Sequence, residues 1–363
     1  MFWAINARVE GEKAKKGGIV SAGLVYDPIY LEHDTGPHPE NASRLIKTME
    51  HLERTGMIEQ LSRISPRAAT VEELSTVHAP GYISYVESFA QGGGGALDPD
   101  TVVSPGSYNA ALKAAGGLIE AVDAVMAGEV KSAFALVRPP GHHAVRWEAM
   151  GFCLFNNIAV AARHAMDKHR LERILIADFD VHHGNGTQDA FYSDPRVLYF
   201  STHQYPFYPG SGRVDETGEG AGKGTTVNVP LPGWCGNEEY LRVYGEVLAP
   251  VARRFRPQLI LVSAGYDAHW SDQISLIQLS TTGYAKIVRI LKGLADELCD
   301  ERLVFTLEGG YNLDALASSI RATLDVLLGN PDIVDPMGEP PAARGRPDIE
   351  ALIQAVKGAH GLT

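Results

Sequence analysis

The sequence predicts an α/β fold with one central, mostly parallel sheet flanked by helices on both faces. Three observations carry that expectation. Short, continuous apolar runs recur along the chain, as in strands buried on both sides. Ala- and Leu-rich stretches of helical character separate most of them. Polar, titratable residues gather just after the carboxyl ends of the apolar runs. Buried strands alternating with amphipathic helices are the pattern of a parallel sheet covered on both sides, and ligands of such sheets bind beyond the strands' carboxyl ends.

In chain order the expected strands are 19–26, 133–137, 174–179, 197–201, 226–231, 259–263 and 303–307. The expected helices are 107–127, 156–168, 238–255, 281–298 and 313–328. Three Gly- and Pro-rich stretches, 92–106, 210–224 and 331–347, read as surface connections. None is long enough to divide the chain. The expectation is one large domain over 19–330, then a C-terminal extension, 331–363, whose short helix at 348–360 packs on the same domain.

Composition narrows the function classes. The 363 residues are 45% hydrophobic and 21% charged, which provides for a large core and excludes disordered and collagen-like classes. Lys plus Arg number 32 and Asp plus Glu 44, a net charge of −12. That balance argues against nucleic acid as a partner, because phosphate binding needs a basic surface. Cys153, Cys235 and Cys299 are far apart and form no CxxC, so neither a disulfide framework nor a thiolate zinc site is expected. A reducing, cytoplasmic setting follows. No apolar run reaches the roughly 18 residues of a membrane span. Residues 1–18 carry Lys13, Lys15 and Lys16 without an apolar stretch ahead of a cleavage site, so no secretory leader is expected.

The strand ends carry the chemistry. After 133–137 comes Arg138-Pro-Pro-Gly-His142-His143; after 174–179 comes Asp180-Val-His182-His183-Gly-Asn185. His203 follows the next strand, Asp267 the run 259–263, and Glu308-Gly-Gly-Tyr311 the run 303–307. Asp178, Asp180 and His182 alternate, so a persisting strand would point all three to one face. Asp178, inside an apolar run, reads as buried and in need of a cation or strong hydrogen bonds. Asp180, His182 and Asp267 suit a metal, and three protein ligands leave the open position of catalytic zinc. The alternative is a polar loop with one satisfied core carboxylate. Of His142 and His143, one imidazole can take a proton from water and the other protonate a leaving amine. Asp178 and Asn185 are the expected partners of their far nitrogens. Tyr311 is placed to stabilise an oxyanion, or else packs in a turn. A Gly-x-Ser-x-Gly elbow, a phosphate loop and HExxH are absent.

The segments Arg138–Ala144, Gly151-Phe-Cys153, Asp178–Thr187, Tyr208-Pro-Gly-Ser-Gly212, Ser263-Ala-Gly-Tyr-Asp267 and Leu307–Asn312 resemble the zinc-dependent histone deacetylase and acetylpolyamine amidohydrolase family. Asn185 and Leu-Glu-Gly-Gly-Tyr resemble its class II and bacterial branch. The resemblance covers roughly 20–328. It implies the arginase/deacetylase fold, Zn²⁺ on Asp180, His182 and Asp267, His142 and His143 as the acid/base pair, and Tyr311 as oxyanion donor. It implies Phe152 and Tyr208 as walls of a tunnel, with the Gly151 carbonyl beside them. It also implies a structural K⁺ near Asp178, Asp180, His182, Ser201 and Thr202, and a second near Phe191, Asp194, Val197 and Thr225. Two oxygens and one nitrogen also suit Fe²⁺ or Co²⁺.

The expected reaction is hydrolysis of an acyl-lysine side chain or a small acylated amine to acetate and free amine. The segment after Asp267 departs from the family's Gly-Asp-Pro form. Ile274 stands where polyamine-specific relatives tend to carry a carboxylate, which tilts the expectation toward acyl-lysine or another neutral acylated amine. Asp98 or Asp100 is expected as a rim carboxylate or as an ordinary loop acid; His269 and Trp270 either line the rim or pack. Acetylpolyamine amidohydrolase is the alternative. A two-manganese ureohydrolase or a non-catalytic acetyl-lysine reader is more remote; His183 and Asn185 stand where a second metal would need carboxylates. The oligomeric state is left open.

Overall fold

The computed structural model describes residues 22–341 and 345–362. Residues 19–21 of the first expected strand and the lysines of 1–18 lie outside the described residues. Eight strands form one sheet: β1 (Ala22–Val25), β2 (Ser62–Ile64), β5 (Ser132–Ala135), β6 (Ile174–Asp178), β7 (Val197–Gln204), β8 (Thr226–Leu231), β9 (Leu259–Ala264) and β10 (Leu303–Leu307). Their spatial order is β2-β1-β5-β10-β9-β6-β7-β8 and every pairing is parallel. The two remaining strands, β3 (Gly95–Ala96) and β4 (Val102–Val103), make a small antiparallel hairpin inside the stretch expected to be loop.

The helices are α1 (Ser43–Arg54), α2 (Val71–Ser75), α3 (Pro80–Gln91), α4 (Ser107–Met126), α5 (Asn157–His169), α6 (Asn185–Phe191), α7 (Asn237–Val243), α8 (Ala249–Phe255), α9 (Thr281–Leu298), α10 (Leu313–Leu328) and α11 (Glu350–Ala359). The expected helix 238–255 is interrupted by a π turn at Tyr244–Leu248. Pro250 has no N–H to bond the preceding turn, and the Ala249 N–H bonds Tyr244 O instead. Side-chain caps fix several starts: Asn156 bonds Ala159 N at 3.1 Å, Ser280 bonds Gly283 N at 3.2 Å and Asn312 bonds Ala315 N at 3.2 Å. Helix α11 packs against the edge strand β8 and the π turn. None of the described helices is long and apolar enough to cross a membrane.

The chain leaves β5 for β6 across two places in the sheet, which β9 and β10 fill later. Such a switch of strand order opens a crevice at the carboxyl ends of the flanking strands. The segments after β5, β6, β9 and β10 meet there.

Candidate active site

Asp178 closes β6 and the strand ends with it, so alternation alone does not align Asp178, Asp180 and His182. Two side-chain-to-backbone bonds shape the turn instead. Asp180 N donates to Asp178 Oδ1 at 3.1 Å, and His182 N donates to Asp180 Oδ1 at 2.8 Å. Asp267 arrives from β9 and accepts from Val181 N at 2.9 Å. Its other oxygen lies 3.3 Å from His182 Nδ1, while Asp180 Oδ1 lies 3.0 Å from the same nitrogen. One donor atom of each residue falls within 4.8 Å of the others.

The electrostatics of this triad fit a cation. Asp178, Asp180, Asp267 and Glu308 are all buried. Among the described residues, only His142 and His182 form ion pairs with them. Asp267 Oδ2 is buried and has no hydrogen-bond donor. An unpartnered carboxylate oxygen away from water is costly unless a cation meets it. Burial and the Asp180 charge push Asp267 up to about 6. Burial opposes charge on His182, but the Asp180 hydrogen bond and the charges of Asp180 and Asp267 outweigh it and push the ring up to about 9. Gly265 and Gly309 leave room for the carboxylates: a Cβ on either would sit 2.0 Å from Asp180 Oδ2 or 2.1 Å from Asp267 Oδ2. The donor set and this orphaned oxygen fit a divalent metal with an open coordination position.

The tandem histidines stand beside the triad with ring centroids 4.0 Å apart. His142 Nδ1 lies 3.1 Å from Asp178 Oδ2, and His143 Nδ1 lies 2.8 Å from Asn185 Oδ1. Their environments push them apart. Burial disfavours charge on both rings. Around His142 the carboxylates of Asp178, Asp180 and Glu308 outweigh it and raise the ring to about 10. Around His143 the neighbouring imidazoles add to burial and hold the ring well below the ordinary histidine range. Paired groups split in this way are what acid/base work requires.

A cavity of 230 Å³ opens onto the histidines; Asp100, Gly151, Phe152, His182, Phe207, Tyr208, Ile274 and Tyr311 are among its lining residues. Gly151 has φ +55°, and a Cβ there would lie 2.4 Å from the His143 ring. Tyr208 packs edge-on to His143 at 5.1 Å, and Phe152 edge-on to Tyr311 at 5.9 Å. Burial holds the Tyr311 phenol protonated, well above its ordinary value. Asp100 borders the cavity, whereas Asp98 caps a turn by accepting from Asp100 N and Thr101 N. His269 is fully buried and Trp270 donates to Gly338 O at 3.0 Å; both pack away from the rim. Cys153 is buried behind Phe152 and bonds Gly151 O at 3.3 Å.

Ser201 pairs in register with Asp178, and Thr202 Oγ1 reaches Asp178 O at 3.5 Å. Farther out, the carbonyls of Phe191, Asp194 and Thr225 each accept a backbone N–H, the middle one from Val197.

Three supports went unread in the sequence. Glu40 accepts both Nε and Nη2 of Arg138, at 2.5 and 2.8 Å, and Arg44 Nη1 at 3.0 Å. Arg44 also donates to Gly310 O at 2.7 Å and lies 5.1 Å over the Tyr311 ring. Glu308 accepts from Gly141 N at 2.7 Å, His142 N at 3.2 Å and Ser263 Oγ at 3.1 Å. Asp272 accepts from Tyr311 N at 2.6 Å and Asn312 N at 2.9 Å. A charged His-x-Glu-x3-Arg cluster running into the first turn of α1 is the available sequence signal for the first.

The histone deacetylase domain family matches residues 38–327. A probable deacetylase of Archaeoglobus fulgidus is 44% identical over 295 residues, covering 80% of this chain and 82% of that protein. Histone deacetylase 14, chloroplastic, of Arabidopsis thaliana is 40% identical over 371 residues, covering 95% and 86%. The crystal structure of the HDA15 HD domain superposes with a TM-score of 0.84 at 35% identity, covering 94% of each chain. The fold is thus the arginase/deacetylase fold, the activity is hydrolytic deacetylation of acylated substrates, and the chain belongs to the histone deacetylase family.

Proposed function

We propose that Asp180, His182 and Asp267 hold one Zn²⁺, and that the enzyme removes acetyl groups from acyl-lysine side chains or small neutral acylated amines. The observation that carries this reading is the buried, donorless Asp267 Oδ2 beside Asp180 and His182, the last of which lines a cavity walled by Phe152, Phe207 and Tyr208. When bound, zinc supplies Lewis-acid polarisation of the acyl carbonyl and of water. Phe152 and Tyr208 clasp the alkyl stem, and the Gly151 carbonyl accepts from the amide N–H. His143, held neutral, takes the proton of the attacking water at Nε2, with Nδ1 anchored by Asn185. His142, paired with Asp178, keeps positive charge beside the developing oxyanion. The Tyr311 phenol donates to that oxyanion. The proton on His143 then passes to the leaving amine, and acetate and free amine depart.

The same reading places K⁺ near Asp178, Asp180, His182, Ser201 and Thr202, and the protein in the cytoplasm; its three buried free cysteines support a reducing compartment. Ile274 brings no charge to the cavity, which supports neutral acylated amines over acetylpolyamines. The test is acetate release by zinc-assayed enzyme on acetyl-lysine peptides, acetylated arylalkylamines, acetylputrescine and acetylspermidine. Turnover of the first two classes at about tenfold or more above the polyamines is expected. The reverse preference, or manganese-dependent urea release, overturns the reading.

A further inference from the structure

A second group of metal-ligand side chains lies on the other side of the sheet's edge. Asp123 is in the last turn of α4, and His164 and His169 are in the last turns of α5. Both helices end just before β5 and β6 begin, so the group lies toward the amino-terminal edge, opposite the catalytic crevice. His164 Nε2 is 2.9 Å and His169 Nε2 2.6 Å from the same atom, Asp123 Oδ1. Their ring centroids are 6.0 Å apart.

We propose that Asp123, His164 and His169 form a second site for a borderline transition-metal dication, such as Zn²⁺, independent of the catalytic metal. Two imidazoles and one carboxylate converging on one point suit Zn²⁺, Co²⁺ or Ni²⁺ better than Mg²⁺ or Ca²⁺. A second observation points the same way. Glu73 Oε1 stands 3.7 Å behind His164 Nδ1, on the far side of the ring from Asp123. Once a metal displaces the proton on Nε2, a carboxylate there favours the remaining proton on Nδ1, the arrangement usual around metal-bound histidines. Arg67 pins Glu73 through two bonds, at 2.6 and 2.7 Å. Ligand exchange has a route: a 590 Å³ cleft bordered by Asp123, Lys168, His169, Glu120 and Glu129 opens the group to solvent.

Lys168 Nζ bonds Asp123 Oδ2 at 2.8 Å and leaves Oδ1 to face the imidazoles. Binding releases the two Nε2 protons to solvent and replaces the two imidazole-to-carboxylate hydrogen bonds by metal–ligand bonds. The dication then ties the end of α4 to the end of α5 as a structural staple.

The test is calorimetric titration of Zn²⁺ into enzyme already holding one zinc per chain. A second equivalent is expected to bind and to raise the thermal midpoint. His169→Ala and Asp123→Asn should each weaken that second event tenfold or more, with acetyl-lysine turnover within twofold of wild type. Co²⁺ added to the same one-zinc enzyme should give a visible absorption band that His169→Ala abolishes. Saturation at one metal per chain overturns the proposal, as does a second event that His169→Ala and Asp123→Asn leave unchanged.

Discussion

Two clusters of carboxylate and imidazole sit at opposite edges of one sheet, and their surroundings give them different roles. Asp180, His182 and Asp267 have side chains 1%, 10% and 0% exposed, with two more carboxylates packed nearby. Asp123, His164 and His169 are 19%, 11% and 20% exposed, and Lys168 balances their charge. In the first cluster one carboxylate oxygen is left without a donor. In the second, both oxygens of Asp123 are taken. Similar donors thus make a reactive centre where burial leaves negative charge uncompensated, and a staple where water and a lysine compensate it.

The largest effect that tests this contrast comes from the buried cluster. Asp267→Ala should abolish zinc retention at the catalytic site and lower turnover by about a thousandfold or more, read from metal content and acetate release. A variant that keeps both zinc and activity removes Asp267 from the ligand set. His143→Ala should keep zinc and lose about 10²–10⁴-fold in kcat, the usual range for a general acid/base.

Glu308 sharpens the comparison, because it is a buried carboxylate with a positioning task. Glu308→Leu leaves the N–H groups of Gly141 and His142 without their acceptor. An orphaned buried group costs about 1–3 kcal/mol, so the thermal midpoint should fall and kcat with it. Glu308→Gln keeps an acceptor and should recover most of both; equal damage from the two variants would falsify the positioning role.

The smallest effect belongs to the open cluster. Burial alone would raise Asp123, but Lys168, His164 and His169 outweigh it and bring it to about 2. A carboxylate depressed on folding stabilises the fold above its unfolded value of about 3.9, and that stabilisation is lost as pH falls toward 2. The thermal-midpoint gap between wild type and Asp123→Asn should therefore narrow as pH falls from about 5 and close near pH 2. A gap constant across that window contradicts the assignment.

The sequence showed the floor of the site better than its supports. Asp178, which ends β6, and Asp267, three residues beyond β9, stand out because polar side chains follow apolar runs. The helix Ser43–Arg54 hid its role because Arg44 looks like a solvated charge until tertiary folding pairs it with Glu40 and the Gly310 carbonyl. Strand β2 has three residues, none fully buried, so it offers no periodicity to read. Asp272 carries no sequence signal because its partners, the N–H groups of Tyr311 and Asn312, are about 40 residues away in sequence. The N-terminal layer is thus a tertiary construction around chemistry that the strand ends already displayed.

The most direct measurement of the central claim is single-turnover deacetylation of an acetyl-lysine peptide by Tyr311→Phe at zinc content equal to wild type. Loss of an oxyanion donor predicts a rate about 10²–10³-fold lower, with peptide affinity within about threefold. Wild-type turnover by zinc-loaded Tyr311→Phe would contradict the account.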